Sequence, residues 1–442
     1  MAMQGFQSAG VTDPTMPRRT AYLSVAVLTL VYVLNFIDRK LPFILIESIK
    51  ADLRLTDTQI GLIAGVVFSL VYTLSAMPLA SLAERRGRKR VIAISVAFWS
   101  LMTAAGGFAT NFWQLALSRI GVALGEAGAS PQAHSLIASY YPGRGRGAAL
   151  AVFAIGAPLG IFAGLGLGGV INDLANWRTA MIAVGLPGLL IAGLVWVGVH
   201  DPGESAKVGE RRLGLIDGLR LLWCRKSFRH LAAAAVLFGS GVGASAAFTP
   251  AFLMRRFELS ASDVGLAYGL VVGLAGIVGA LVGGFVTDKI QDKGAGWALR
   301  VFAVAICAAA PIQLAAWWMP GYLSSLAFIA WPEFLQMMYY APSFFAMQLL
   351  LPASQRALAS AVFLFFVTGV GMSVGPFLAG LLSDLFRERG ASQALAIALS
   401  VMTLTKIWTA VHYWRASQFL ADDAADVARS DEMPSASKSN ET

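Results

Sequence analysis

The chain has 442 residues, 57% hydrophobic and 13% charged, with a net charge of +9 and a mean hydropathy of +0.66. A soluble domain carries about 25% charged residues, so this composition cannot cover a water-facing surface, and soluble, disordered, fibrous and disulfide-rich secreted classes are excluded. The two cysteines, Cys224 and Cys307, form no CxxC pair or metal spacing, which removes thiol chemistry and a structural metal.

Residues 1–20 are polar and end in Arg18-Arg19, and the apolar run behind them is too long for a signal-peptide core. A bilayer-crossing helix needs about 20 mostly apolar residues. Twelve such stretches follow in order: 21–46, 58–82, 91–109, 113–138, 146–170, 179–200, 229–254, 263–286, 297–318, 322–350, 357–385 and 392–415. They are continuous and helix-length, with none of the alternation of a membrane β-barrel.

Lys and Arg in the connections set the orientation. With the N-terminus inside, the inner segments hold 22 basic residues and the outer loops 7. Both termini are therefore expected in the cytoplasm. The same bias accounts for the net charge without nucleic acid.

The longest connection, 201–228, divides the chain six plus six, and the halves repeat. An offset of 204 pairs Leu55 with Leu259, Gly61 with Gly265, Gly65 with Gly269 and Glu84 with Asp288. An offset of 211 pairs Pro131 with Pro342, Gly160 with Gly371, Gly164 with Gly375, Gly169 with Gly380 and Asp173 with Asp384. The expected architecture is all-α: twelve transmembrane helices in two six-helix bundles related by a pseudo-two-fold axis. Its parts are a cytoplasmic N-tail (1–20), an N-terminal bundle (21–200), a central cytoplasmic loop (201–228), a C-terminal bundle (229–415) and a disordered cytoplasmic tail (416–442).

Between the second and third stretches the chain reads Ala80-Ser81-Leu82-Ala83-Glu84-Arg85-Arg86-Gly87-Arg88-Lys89-Arg90. This resembles the signature loop of the major facilitator superfamily, G-x-L-A-D-R-x-G-R-K-R, with Ala80 in place of its Gly and Glu84 in place of its Asp. The resemblance implies a twelve-helix secondary transporter in which Glu84, Arg85, Gly87 and Arg88, with Asp288 in the second half, form a cytoplasmic gating latch. A narrower set is Asn35-Phe36-Ile37-Asp38-Arg39, Arg119, Gly125-Glu126-Ala127, Ala157-Pro158-Leu159-Gly160 and Asn176-Trp177-Arg178. It is similar to the Spinster branch, whose characterised eukaryotic members move sphingosine phosphate or lysophospholipids. The Asn-x-x-Asp-Arg element also occurs in organic-anion/proton symporters of the superfamily.

A charge inside a membrane helix is costly and marks a functional candidate. Glu126 and Arg119 are seven residues apart, hence on one helix face. Dehydration disfavours a charged carboxyl and a nearby Arg favours it, so alternating access can load and release a proton. Asp38 and Glu126 are the candidate proton carriers. Arg stays protonated and holds carboxylates or phosphates bidentately. Asn35, Arg39, Arg119, Glu333 and Tyr339 are the candidate substrate contacts. Pro332, beside Trp331 and Glu333, is expected to bend the tenth helix, with Gln336, Tyr339 and Tyr340 following. Lys406 is expected to snorkel or to pair with an acid. His134 is a candidate relay residue or a local hydrogen-bonding one. The glycines at 160, 164 and 168 allow close helix contact. Gly143–Gly147 lacks the Lys-Ser/Thr ending of a phosphate loop, so nucleotide-driven pumping is not indicated.

The sequence thus reads as a monomeric, proton-coupled, alternating-access transporter of a bacterial-type inner membrane, with no enzyme activity, cofactor or metal. Its expected partners are protons, membrane lipids and a lysophospholipid-like or sphingoid-phosphate substrate. Symport of a small organic or sugar acid is the alternative reading, and a non-transporting receptor the remote one.

Overall fold

The computed structural model describes residues 17–141, 145–203, 215–352 and 355–432, and among these there is no strand. Arg144, Lys207, Arg211, Arg212 and Lys438, counted above as inner charges, and the end of the tail lie outside them. Among the described residues the helices group into twelve spans. Nine are long and apolar enough to cross a membrane by length and composition: Arg18–Ile44, Asp57–Arg86, Arg146–Leu174, Trp177–Gly198, Lys226–Phe257, Ala261–Ile290, Trp297–Trp318, Leu358–Glu388 and Ala394–Arg429. They are spans 1, 2, 5, 6, 7, 8, 9, 11 and 12. Span 3, Arg88–Gly106, opens on three consecutive basic residues. Spans 4 and 10 are each interrupted: Phe112–Ala127 with Ser130–Tyr140, and Tyr322–Met337 with Tyr340–Gln348.

Local chemistry fixes where the spans start. Thr56 and Gln59 form a reciprocal capping box on span 2. Asn111 and Asn176 cap spans 4 and 6 with their side-chain oxygens, satisfying donors that a helix leaves open. The interruptions come just before Pro131 and Pro342, which an offset of 211 relates. In both, the chain tightens into i→i−3 bonds, Ala129 N–H to the Glu126 carbonyl and Tyr339 N–H to the Gln336 carbonyl. Pro332, expected to bend span 10, lies within the helix Tyr322–Met337. The break falls six residues later.

The apolar core is shared at one end and divided at the other. One cluster joins Leu41, Ile44, Ile60 and Ile63 of the first half to Phe248, Phe252, Val264 and Ala379 of the second. Towards the termini the core separates into one cluster of the N-terminal bundle around Trp99 and Phe153 and one of the C-terminal bundle around Phe302 and Tyr413. We call the shared end the closed end.

The glycine repeats explain how the bundles meet there. A β-carbon at Gly61 would sit 2.2 Å from the Pro376 carbonyl oxygen, and one at Gly265 would sit 2.2 Å from that of Leu165. Gly65 meets Ser373 as Gly269 meets Phe162. The offsets of 204 and 211 thus turn each span 2–span 11 contact into a span 8–span 5 contact. Inside the bundles, Gly160, Gly164 and Gly168 bring span 5 against Val33, Ile37 and Leu41 of span 1, and Gly371 and Gly375 bring span 11 against span 7.

Two segments differ from expectation. The connection 201–228 contains a helix, Leu215–Trp223, anchored by buried Leu222 against Phe228. The tail, expected to be disordered from 416, is helical through Glu432. Its Ala416, Leu420 and Val427 are buried. Its Asp423 accepts hydrogen bonds from the Ser227 N–H (2.7 Å) and hydroxyl (2.5 Å), capping span 7.

Candidate functional site

Four of the predicted charges, Asp38, Arg39, Arg119 and Glu126, lie on spans 1 and 4 of the N-terminal bundle. Arg39 on span 1 donates through Nε (3.2 Å) and Nη2 (2.9 Å) to one oxygen of Glu126 on span 4. Glu126 is fully buried, and its other oxygen, Oε1, has no hydrogen-bonding partner. It sits two residues before the break in span 4. The Arg39 guanidinium lies over three rings, Phe36 (5.5 Å), Phe68 (5.2 Å) and Tyr72 (4.6 Å to the centroid), a cation–π box. Arg39 is thereby committed to Glu126 and to aromatic faces.

Asp38 points elsewhere on span 1. Trp99 on span 3 donates its indole N–H to Asp38 Oδ2 at 3.0 Å, and Oδ1 has no partner. Arg119, a candidate substrate contact, reaches the Asp38 backbone carbonyl at 3.4 Å and stacks over Phe68 at 4.9 Å. Its Nε is buried and unpartnered, as is Asn35 Nδ2. Asn35 and Thr103 lie beside Glu126 and Asp38 respectively. Neither Asn35 Nδ2 nor Thr103 Oγ1 completes a hydrogen bond. An apolar pocket lined by Pro42, Phe43, Ile63, Leu115 and Met181 ends on Arg119.

The C-terminal bundle holds a second polar group. Glu333 is buried and accepts a hydrogen bond from Gln336 Nε2, and Lys406 on span 12 donates to Gln336 Oε1 at 3.0 Å. Lys406 thus meets the acid through an amide. Tyr339 is buried in the core of this bundle, its ring 4.5 Å from Phe238 and 4.0 Å from Tyr340. Tyr340 is the exposed member of that pair. His134 makes a local bond between Nδ1 and the Ser130 carbonyl.

The signature loop lies at the termini end. Gly87 ends span 2 at φ +93°, a left-handed turn that glycine adopts without a side-chain clash. Asp201, after span 6, accepts from the Lys89 N–H at 3.0 Å. Glu84, Arg85 and Asp288 are exposed and Arg88 is half-buried.

An ion network that sequence reasoning missed ties the closed end together. Arg255 of span 7 forks onto Glu47 (2.9 and 2.7 Å) and the buried Asp57 (2.8 and 2.7 Å). Asp57 also receives Lys50 (2.6 Å) and the Ser383 hydroxyl (2.7 Å). Asp384 of span 11 accepts from the Asp57 and Thr58 N–H groups, capping span 2. Its repeat partner Asp173 of span 5 accepts from the Ser262 N–H, capping span 8. Each bundle therefore caps a helix of the other. The Asn176-Trp177-Arg178 element is a clasp: Trp177 and Arg178 both donate to Asp52. The Arg178 bond, and then that of Trp177, hold the Asp52 carboxyl below its ordinary value.

Two helical bundles around buried charges, sealed at one end, define an integral membrane transporter. Residues 28–376 match the family described as Major Facilitator Superfamily, and the chain belongs to that family. A protein of Mycolicibacterium smegmatis (strain ATCC 700084 / mc(2)155) described as an MFS-type efflux pump is 37% identical over 418 residues, 93% of this chain and 96% of that one. A probable L-galactonate transporter of Escherichia coli (strain K12) is 27% identical over 302 residues, 64% of this chain and 65% of that one. The crystal structure of a bacterial homologue of the human lysosomal transporter Spinster, inward-facing and unoccupied, superposes with a TM-score of 0.78 at 24% identity, covering 94% of this chain and 99% of that one. The Spinster resemblance read from the N-terminal motifs agrees with that structural neighbour.

Proposed function

We propose that this protein is a proton-coupled secondary transporter of an amphiphilic anion, such as a lysophospholipid or sphingoid phosphate. It works as a monomer by alternating access, in a bacterial-type inner membrane with both termini cytoplasmic. The observation that carries the reading is the Arg39–Glu126 pair, a fully buried carboxylate held through one oxygen beside a helix break. A carboxylate changes its proton affinity when solvent or a cation partner is exchanged, and rocking of one bundle against the other changes both at Glu126. Asp38, held by Trp99, is the second carrier.

A core that divides towards the termini supports an opening at that end. The latch of Glu84, Arg85, Gly87, Arg88 and Asp288 lies at that end and acts in the opposite access state. The aromatic box around Arg39 supports a ligand with an apolar body. The likeness to a probable L-galactonate transporter favours a second reading, symport of a sugar acid by the same carboxylates.

The test is proton movement in sealed proteoliposomes on addition of lysophosphatidic acid, sphingosine phosphate or D-galactonate, one at a time. Amphiphile-evoked flux that Glu126→Gln abolishes is the expected result. Glu126-dependent flux with D-galactonate alone supports the second reading, and flux unchanged in the variant contradicts both.

A further inference from the structure

At the termini end, spans 7 and 12 share a basic face. Lys226, Arg229 and His230 recur at the three- and four-residue spacing of one helix face, as do His412, Arg415 and Phe419. The two faces meet antiparallel. Lys226 Nζ lies 5.5 Å from the centre of the Phe419 ring, that ring stacks on His230 at 5.9 Å, and His230 Nδ1 lies 3.0 Å from His412 Nδ1. Arg229 therefore stands level with Arg415, and both are close enough to His230 for their charges to act on it.

This face points out of the bundle. Arg415 and His412 lie about 180° and 240° round span 12 from Lys406, which is buried against Gln336 in the interior. Arg229 and Arg415 are exposed and the two histidines half-buried. Trp408, one turn deeper than His412, is 62% exposed on the same side. Trp223 and Trp414, also exposed, set the level at the membrane interface, where tryptophan concentrates. At 3.0 Å one imidazole donates its Nδ1–H and the other accepts it, so the accepting ring carries its own proton on Nε2, free for an anion's oxygen. Among the described residues neither Arg229 nor Arg415 is in an ion pair, whereas the neighbouring Arg225 is taken by Asp426. Of the nearby acids, Asp423 is spent on Ser227, and Asp422 follows Arg415 about 10 Å further along the helix, away from the bilayer. Unpaired cations between two membrane helices at headgroup level match an anionic lipid.

We propose that Arg229, Arg415 and the His230–His412 pair bind the phosphate of an anionic phospholipid in the leaflet on the termini side. Its acyl chains run along Trp408 of span 12 and Leu237 of span 7, two turns from His230. The site lies on the C-terminal bundle alone, outside the buried charges assigned to transport, and does not depend on which substrate is carried.

The experiment is a lipid titration of the full chain in detergent micelles, read by native mass spectrometry, with dioleoyl phosphatidylglycerol, dioleoyl phosphatidylcholine and free glycerol 1-phosphate as probes. Phosphatidylglycerol is expected to bind more tightly than phosphatidylcholine. Arg229→Gln combined with Arg415→Gln should weaken phosphatidylglycerol roughly thirtyfold and leave phosphatidylcholine unchanged, which also reports that the variant is folded. Lysine at both positions should retain most of the affinity. His412→Phe, which keeps a ring, should weaken binding less than the double variant, and no loss there would remove the histidines from the site. Arg18→Gln combined with Arg19→Gln takes the same charge from the start of span 1 and should leave the affinity unchanged. Wild-type affinity in the Arg229/Arg415 variant, or an equal loss in the Arg18/Arg19 variant, would overturn the site in favour of diffuse surface charge. Displacement of the lipid by an equal concentration of glycerol 1-phosphate would overturn the lipid and leave a free-phosphate site.

Discussion

Asp38 and Glu126 are proposed for the same role but differ in environment. Glu126 faces a guanidinium and Asp38 an indole. Leaving a buried acceptor without its donor costs about 1–3 kcal/mol. Trp99→Phe is therefore expected to lower thermal stability by an amount in that range, and to cost little in an Asp38→Ala background, as a double-mutant cycle in detergent would show. An equal loss in both backgrounds would mean that Trp99 acts only by packing. Asp38, Arg39, Arg119 and Glu126 were legible in the sequence because a charge in an apolar run stands out. Their pairing was not, since spacing along one helix fixes a face but not which neighbour meets it. Trp99, Phe68 and Tyr72 were invisible for the opposite reason: an aromatic residue in an apolar span carries no mark until its ring is seen against a cation.

At the scale of elements, the closed end depends on backbones in contact. Gly61 and Gly265 occupy equivalent places on spans 2 and 8, each with a carbonyl 2.2 Å from where a β-carbon would stand. Overpacking a tight contact costs about 1–3 kcal/mol. Gly61→Val and Gly265→Val should loosen this end to a similar degree. Spin labels at Ala51→Cys and Arg389→Cys, with Cys224 and Cys307 replaced by serine, would report it as a longer distance population. An effect at one glycine only would break the symmetry argued here. The repeat offsets were readable because glycine and proline positions are set by backbone geometry. Pro131 and Pro342 mark the two broken helices for that reason. The tail misled because its acidic composition hid the spacing of Ala416, Leu420 and Val427.

For the whole molecule, the network around Asp57 joins residues that read in the sequence as loop charges and topology marks. Its meaning appears only when Arg255 is seen to cross from span 7 to Glu47 and Asp57. Removing one partner of a buried ion pair costs about 3 kcal/mol or more. Asp57→Asn is thus expected to shift the closed-to-open ratio at this end on the order of a hundredfold. The same pair of spin labels would measure the shift, and an unchanged distance distribution would show that apolar packing alone seals the end.

The central claim is that Glu126 carries the transported proton. Its most direct test compares two modes of transport by Glu126→Gln in proteoliposomes, using the ligand that evokes flux in the wild type: exchange of labelled for unlabelled substrate without a gradient, and accumulation driven by a pH gradient. The expected result is exchange within about threefold of wild type with gradient-driven accumulation lost. Accumulation retained in the variant would contradict the claim.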